Sequence, residues 1–521
     1  MVRSIFANLV RSMYEPSLRS IPDYWSNAVD KFPSAPAAIF GGETLTYAEM
    51  DARIARAAGF LRDELGVSRG DRVAIALPNC LECLIVYWAA LRLGAVAAPV
   101  NIRLRDEEIA FVIRNLAPRV AVVHEETPAP VFQAVAACGD VRASVGVGDC
   151  PCDVPFTRLT EYASPADACP DIDPSDAAVV LHTSGTTGEP KGAIMTHETL
   201  HFNVKNAIFA HSFRHEDVHL LVIPFFAPTA SYSLLASAAY LGSAVCIAPR
   251  PDVGDIVRLI ETHRCTTFIG VPTLFHLFVN DPRAAGADLD SLRLIAYSGS
   301  PMPVRTIGQL RGRFPGIALH NFFGLTETIS ITHVLPGINA SDRPDSIGKP
   351  LPEIGTRIID DAGMDVPRGE IGELCFRRGN IIPGYWNCHG LLEESVVDGW
   401  FRTGDFARVD EDGFFYVHGR KKDMIIVAGQ NVYALEVEKI IYTHPGVRDA
   451  AVIGIPATGV RAALGELVKA VVVAQPGEEL TELDIKRHCA GHLASYKVPQ
   501  VVEFRDDLPR NAAGKVLKRD L

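Results

Sequence analysis

A surplus of positive charge is missing from this chain: 50 Lys and Arg stand against 62 Asp and Glu, a net charge of −12. General nucleic-acid binding calls for a basic surface, so that class is set aside. A nucleotide ligand stays compatible, because one local pocket can be positive on an acidic protein. A long unbroken apolar run is missing too. The most hydrophobic stretch near the N-terminus, Leu84 to Val100, is interrupted by Arg92 and ended by Pro99. It is a poor bilayer span and reads as a buried helix running into a strand. Cysteine pairs at zinc spacing are absent: Cys80 and Cys83 form one C-x-x-C with no second pair to match it. The 11 cysteines, an odd total without an export signal, read as reduced thiols in a cytoplasm. No internal repeat or low-complexity tract interrupts the chain.

The first residues carry Arg3, Arg11 and Arg19 and no acid before Glu15. Ile5, Phe6, Leu9, Val10 and Met13 can share one apolar helix face. The plain reading is a docking helix of the fold. A transit peptide or membrane-surface helix has the same composition, so membrane targeting stays open here.

What is present is a long alternation of strand and helix patterns. At 521 residues the chain has room for about three or four structural units. Arg72 to Leu77, Val96 to Val100 and Arg119 to His124 read as buried strands, with a helix over Tyr87 to Leu93. Strands separated by helices imply parallel βαβ units. The pattern resumes after a Pro-, Asp- and Cys-containing loop at 149–175. Strand candidates there are Ala177 to Leu181, Leu220 to Ile223, Ala244 to Ala248, Thr267 to Val271 and Leu294 to Ser298. After about residue 345 short β-rich runs divided by turns suggest a small barrel or curled sheet. The last hundred residues mix two helices with strands. The expected fold is therefore α/β: a large N-terminal body of α/β sheet layers plus a small β-barrel, with a small α+β C-terminal lid.

The strongest local signal is Thr183-Ser-Gly-Thr-Thr-Gly-Glu-Pro-Lys-Gly192, directly after the strand candidate Ala177 to Leu181. Its glycines let backbone N–H groups approach phosphate oxygens, its hydroxyls add donors, and Lys191 adds positive charge. It is not a Walker A loop, which needs Gly, four residues, then Gly-Lys-Ser/Thr. Taken alone it could also be an exposed Ser/Thr/Gly linker.

This segment resembles the signature of the adenylate-forming superfamily: acyl-CoA synthetases, peptide-synthetase adenylation domains and luciferases. The resemblance runs through essentially the whole chain, in the family's order. It continues with Ser298-Gly-Ser-Pro301, Phe323-Gly-Leu-Thr-Glu327, Gly384-Tyr-Trp386 and Gly399-Trp-Phe-Arg-Thr-Gly-Asp405. It ends with Gly419-Arg-Lys-Lys-Asp423, Gly429-Gln-Asn-Val-Tyr433 with Glu436 and Glu438, and Pro509-Arg-Asn-Ala-Ala-Gly-Lys515.

The resemblance implies an ATP-dependent acid–thiol ligase. An apolar fatty or aryl acid is activated as acyl-AMP with release of pyrophosphate, then passed to coenzyme A. The implied cofactors are ATP, Mg2+ and, as co-substrate, coenzyme A. Thr183, Ser184, Gly185, Thr186, Thr187, Gly188 and Lys191 would cradle phosphates. Thr326 would contact the α-phosphate and Glu327 would hold magnesium. Phe323 would stack on adenine, bordered by Ser298, Gly299 and Ser300. Asp405 would accept from the ribose hydroxyls, with Arg420 nearby. Lys515 would bridge the carboxylate and the α-phosphate, offsetting their repulsion as charge spreads in the transition state. The implied domains are a body over 1–419 and a mobile lid over 420–521, hinged near Lys422. Gly429, Gln430 and Asn431 would line the thiol channel once the lid turns.

Three departures bear on the substrate and the channel. Ala227 stands where relatives often carry His or an aromatic residue, Phe322 where many carry Gly, and Ala428 where Gly-Gly is common. The expected acyl lining is Phe226, Ala227, Tyr232, Phe322, Ile329 and Ile331, which favours an apolar acid. A stand-alone enzyme loading a carrier protein, a luciferase-like oxygenase and a non-catalytic nucleotide binder remain as alternatives. The expected partners are small molecules, with no nucleic acid and no membrane span; a homodimer is possible.

Overall fold

Strands rich in Ala, Val and Ile, set between capped helices, organise the computed structural model of the chain. It describes residues 20–167, 172–183, 189–300, 302–340, 342–510 and 516–521. The Arg-rich start and Ile5, Phe6, Leu9, Val10 and Met13 lie outside the described residues. By contacts the chain divides into two units. One runs to Ile102 and adds Ile109–His182 and Gly192–Thr267; the other comprises Arg103–Glu108, Thr183–Lys191 and Phe268–Leu521.

In the first unit the expected parallel units are present. A seven-stranded sheet has the order Val154–Pro155, Ala143–Val147, Val120–His124, Arg72–Ala76, Val96–Pro99, Ala177–Thr183, Lys191–Thr196. The pairings Arg72↔Val96 and Val73↔Val120 are both parallel, as βαβ crossovers require. The apolar run after Cys80 is a helix, Leu81–Arg92, buried over nearly its whole surface, and it leads through Gly94 into Val96–Pro99. The helix begins earlier than Tyr87, because Cys80 is its N-cap and the Cys83 thiol donates to the Pro78 carbonyl at 3.1 Å. The C-x-x-C is thus a helix start. Arg92, the charge inside the apolar run, is satisfied by Asp51 Oδ1 at 2.6 Å and the Ala166 carbonyl at 2.8 Å. That pairing lets a guanidinium sit in an apolar setting.

Four more strands of this unit pair as Glu43–Thr46, Pro36–Phe40, Ala244–Ile247 and Val218–Leu221. The last starts two residues before the expected Leu220, since Asp217 and Thr266 fix its beginning: Thr266 Oγ1 donates to Asp217 Oδ1 and accepts from Val218 N. Capping boxes start the helices Tyr47–Asp63, through Thr46 and Glu49, and His197–His211, through Thr196 and Thr199.

In the second unit Leu294–Tyr297 runs parallel to Ala318–Leu325, which returns antiparallel as Ser330–Leu335 and then Lys349–Pro350. The β-rich segment after 345 forms a five-stranded antiparallel sheet of Thr356–Ile359, Gly372–Arg377, Trp400–Val409, Val396–Val397 and Phe415–Arg420. The C-terminal part is α+β. Val447–Pro456, Glu466–Ala474 and Val501–Phe504 form a sheet, and Val437, Ile441, Val452, Val468, Val472 and Ile485 close a core against it. The helices Ala434–Tyr442 and Glu482–Ala490 supply the other side of that core. Among the described residues no helix is long and apolar enough to cross a membrane. The ten cysteines described are all free.

Candidate functional site

Strand Ala177–Thr183 delivers Thr183, and Lys191–Thr196 takes the chain away again. Thr183 Oγ1 donates to the Lys191 carbonyl at 3.4 Å, which ties the two ends of the Ser/Thr/Gly loop together. Ser184, Gly185, Thr186, Thr187 and Gly188 lie outside the described residues. The Lys191 ammonium stands 5.5 Å from the ring centroid of Tyr385. The hydroxyl of the same tyrosine donates to Glu327 Oε1 at 2.8 Å. Lys191 and Glu327, far apart in sequence, therefore meet at the face and the tip of one side chain. Tyr385 is buried, and burial first, then the Glu327 carboxylate, pushes its phenol well above the ordinary value. It stays a protonated donor. In the sequence Tyr385 stands inside the Gly384-Tyr-Trp386 motif with no role of its own.

Glu327 sits in a tight turn between two antiparallel strands. Thr328 Oγ1 accepts from Leu325 N at 2.9 Å and donates to the Leu325 carbonyl at 3.1 Å. The Glu327 carbonyl accepts from Ile382 N at 2.8 Å. The turn leaves Ile329 at φ +59°, a left-handed conformation costly for a β-branched residue. Thr326 is half-buried beside Glu327, while Ile329 and Ile331 are buried.

Phe323 is half-buried and pairs across the strands with His333. Thr332 Oγ1 donates to the Phe323 carbonyl at 3.1 Å. His333 is fully buried, edge-on to Phe323, Phe376 and Phe415, with centroids at 6.1, 6.0 and 4.8 Å. Burial pushes its imidazole down to about 3, so it is neutral and acts as part of the wall behind Phe323. Phe322, one residue earlier and on the opposite face, is 5% exposed. Ser298 is half-buried and Gly299 and Ser300 are exposed at the end of strand Leu294–Tyr297, with Gly299 at φ +90°.

Asp405 is 4% exposed and faces Arg420 across two antiparallel strands, with Arg420 Nε 2.8 Å from Asp405 Oδ1. Arg420 Nη1 also donates to the Thr403 carbonyl at 3.2 Å. The Thr-Gly-Asp bend is held from behind by Glu373, whose Oε1 accepts from Gly404 N at 3.1 Å. Its Oε2 accepts from Arg402 at 2.6 and 3.0 Å. Glu373 was not singled out in the sequence; a buried Glu inside an apolar strand, Gly372–Arg377, was the available signal.

Lys515 lies outside the described residues. Lys422 sits in the short turn Lys421–Asp423, where burial and then Arg420 lower the ammonium value while Asp423 opposes them. Gly429, Gln430 and Asn431 are exposed on a hairpin between Met424–Val427 and Gln430–Tyr433. Its two turn residues, Ala428 and Gly429, have φ of +50° and +79°. That is the backbone of a two-residue primed turn, with Ala where Gly is preferred.

Of the expected acyl lining, Tyr232 is fully buried and Phe226 and Ala227 are half-buried. Ala227 begins a turn in which its carbonyl accepts from Ala230 N and Ser231 N at 3.0 and 3.1 Å. The chain then enters a π-helical turn, Thr229–Leu234. Asn79, also missed, pins the approach. Its Nδ2 donates to the Ile223 carbonyl at 3.0 Å and its Oδ1 accepts from Phe225 N at 2.8 Å.

A magnesium ion suits Glu327. Tyr385 engages Oε1, and among the described residues no group reaches Oε2, which leaves a hard oxygen donor. No cluster of three or more His, Cys, Asp or Glu side chains among the described residues could hold a metal by itself. That matches the habit of magnesium, which is bound through one or two carboxylates together with substrate phosphates and water.

Comparison with known proteins follows the same lines. The pattern of the AMP-binding enzyme family matches residues 25–386, and that of the AMP-binding enzyme C-terminal domain matches 436–515. Feruloyl-CoA synthase of an Amycolatopsis species is 35% identical over 489 residues, 94% of this chain and 96% of that protein. Long-chain-fatty-acid–CoA ligase of Escherichia coli O6:H1 is 31% identical over 538 residues, 96% of this chain and 94% of the other. The crystal structure of ATP-bound MatB from Rhodopseudomonas palustris aligns with a TM-score of 0.85 at 30% identity, covering 96% of this chain and 98% of that one.

Proposed function

The chain belongs to the AMP-binding enzyme family, and we infer that it is an ATP-dependent ligase joining an apolar carboxylic acid to coenzyme A. A carboxylate oxygen attacks the α-phosphorus of ATP, the bond to pyrophosphate breaks, and acyl-AMP forms. The coenzyme A thiol then attacks the acyl carbon, and AMP leaves. The observation that carries this reading is the convergence of Lys191 and Glu327 on Tyr385. A cation from the phosphate loop and a carboxylate suited to magnesium are there each held by one tyrosine.

In this reading Thr183 and Lys191, with the loop between them, hold the phosphates. Thr326 contacts the α-phosphate. Phe323 offers its ring to adenine beside Ser298, Gly299 and Ser300. Asp405, an acceptor-only group when ionised, takes the ribose hydroxyls, and Arg420 beside it faces the phosphate side. Magnesium held by Glu327 supplies neutralisation of phosphate charge. Lys515 supplies the cation between carboxylate and α-phosphate.

Residues 420–521 form the lid, turning near Lys422 to expose Gly429, Gln430 and Asn431 to the thiol arm. A closed lid keeps water from the mixed anhydride. The apolar side chains Phe226, Tyr232, Phe322, Ile329 and Ile331, with small Ala227, favour a fatty or aryl acid.

The test is pyrophosphate release with Mg-ATP across a panel of fatty and aryl acids, with and without coenzyme A. The expected result is pyrophosphate with some acid, and an acyl-CoA mass only when coenzyme A is added. Pyrophosphate without acyl-CoA would move the acceptor to a carrier protein. No pyrophosphate with any acid would overturn the reading.

A further inference from the structure

Tyr385 touches two opposite charges at once. Its hydroxyl is hydrogen-bonded to Glu327 at 2.8 Å, and its ring lies 5.5 Å from the Lys191 ammonium. A lysine and a glutamate that share one neighbouring side chain would gain if they could pair directly, and each would then be turned away from an incoming nucleotide. Among the described residues they form no ion pair with each other. Each is bound instead by the part of Tyr385 that suits its sign. The phenol O–H donates to the anion, and the electron-rich face receives the cation.

The tyrosine is itself fixed. The residue is 8% exposed. The preceding segment is braced by Arg378, which donates to the carbonyls of Ile382 and Pro383, both at 3.0 Å. Ile382 N donates to the Glu327 carbonyl at 2.8 Å, so the tyrosine segment and the glutamate turn are bound through backbone as well.

We propose that Tyr385 is the positioning residue of the adenylation step. Its hydroxyl fixes Glu327 so that the second carboxylate oxygen is presented to magnesium, and its ring fixes Lys191 for the phosphates. The two charges are thereby held apart before Mg-ATP arrives. The assignment rests on the ligase reading above and adds a residue to it. It separates the two halves of the tyrosine. The hydroxyl governs the metal-dependent part of nucleotide binding, and the ring governs the part that needs no metal.

The experiment is calorimetric titration of the full chain with ATP plus magnesium, and with ATP plus a chelator, for the wild type, Tyr385→Phe and Tyr385→Leu. Loss of one charge-assisted hydrogen bond is expected to cost Tyr385→Phe about tenfold in Mg-ATP affinity. Its affinity for metal-free ATP should stay at the wild-type value. Tyr385→Leu should lose affinity in both titrations. A Tyr385→Phe variant that binds Mg-ATP like the wild type, or loses equally with and without magnesium, overturns the proposal. Thermal melting checks that each variant is folded. If Tyr385→Phe does not fold, Glu327→Gln carries the test. Acting at the same carboxylate, it should reproduce the selective loss of Mg-ATP affinity, and unchanged Mg-ATP binding overturns the proposal. A wild type that binds Mg-ATP but releases no pyrophosphate with any acid overturns the ligase reading alone, since the calorimetric comparison still decides the role of Tyr385.

Discussion

Arg420 Nε lies 2.8 Å from Asp405 Oδ1, joining neighbouring antiparallel strands at the point where the Thr-Gly-Asp bend turns. The pair is lopsided: the Asp405 side chain is 6% exposed and that of Arg420 41%. The arginine can hydrate if its partner is removed, so the pair adds little stability, about 1 kcal/mol after solvent screening. Its value lies in aiming a buried carboxylate. Asp405→Ala is therefore expected to raise the KM for ATP at least about tenfold while lowering Tm only slightly. ATP-dependent pyrophosphate release and a thermal melt on the same preparation check both halves.

Lys515 is expected to serve the first half-reaction far more than the second. Lys515→Ala should slow acyl-adenylate formation about 100- to 1,000-fold, the usual loss when one preorganised charge partner of a transition state is removed. Supplied with preformed acyl-adenylate, the same variant should make the thioester at close to the normal rate. Normal adenylation by Lys515→Ala, measured as single-turnover pyrophosphate release, would remove the lysine from the mechanism.

Three histidines that their surroundings keep neutral make stability sensitive to acid. Burial holds His333 down to about 3, and His182 and His197 down to about 4. In the unfolded chain each returns to about 6.5. Above about pH 6.5 both states are neutral and no stability is lost. As pH falls from about 6.5 towards 4 the unfolded chain takes up protons that the folded chain refuses. Each histidine then removes up to about 1.4 kcal/mol per pH unit. Urea midpoints at pH 7.5, 6 and 5 should fall steadily. His333→Phe, which keeps a ring against Phe323, Phe376 and Phe415, should flatten that fall relative to the wild type.

Ala428 holds a left-handed backbone at φ +50° in the exposed hairpin turn before Gln430. An alanine there carries a steric penalty that glycine lacks. Ala428→Gly is expected to stabilise the hairpin by about 0.5–1 kcal/mol, read as a small rise in Tm. Thioester formation should be retained, because the turn geometry is unchanged. A fall in Tm would show that chain entropy outweighs the relief of strain.

Much of the scaffold was legible in the chain because its signals are local. Alternating apolar runs and helical stretches marked the parallel units, and Arg72–Ala76, Val96–Pro99 and Val120–His124 lie where the runs placed them. Boundaries slipped where polar contacts lie outside the apolar pattern. The helix Leu81–Arg92 starts earlier than the apolar run suggested, with the Cys83 thiol donating to the Pro78 carbonyl, and Asp217 with Thr266 starts a strand before Leu220. Asn79 shows the limit. It holds Phe225 from a loop far away in sequence, and nothing around Asn79 announces that bond.

The sequence by itself determined the order of strands and helices, the hydroxyl- and glycine-rich loop after Ala177–Thr183, and the residue types at the expected site. These depend on periodicity, turn chemistry and motif spacing along a short stretch of chain. The tertiary structure alone decided that Lys191 and Glu327 meet on Tyr385, that Glu373 braces Gly404 behind Asp405, and that His333 is the neutral wall behind Phe323. Each of those relationships links segments remote in sequence. Each is set by which buried polar groups find partners when the sheets assemble, and such pairing leaves no periodic trace in the chain.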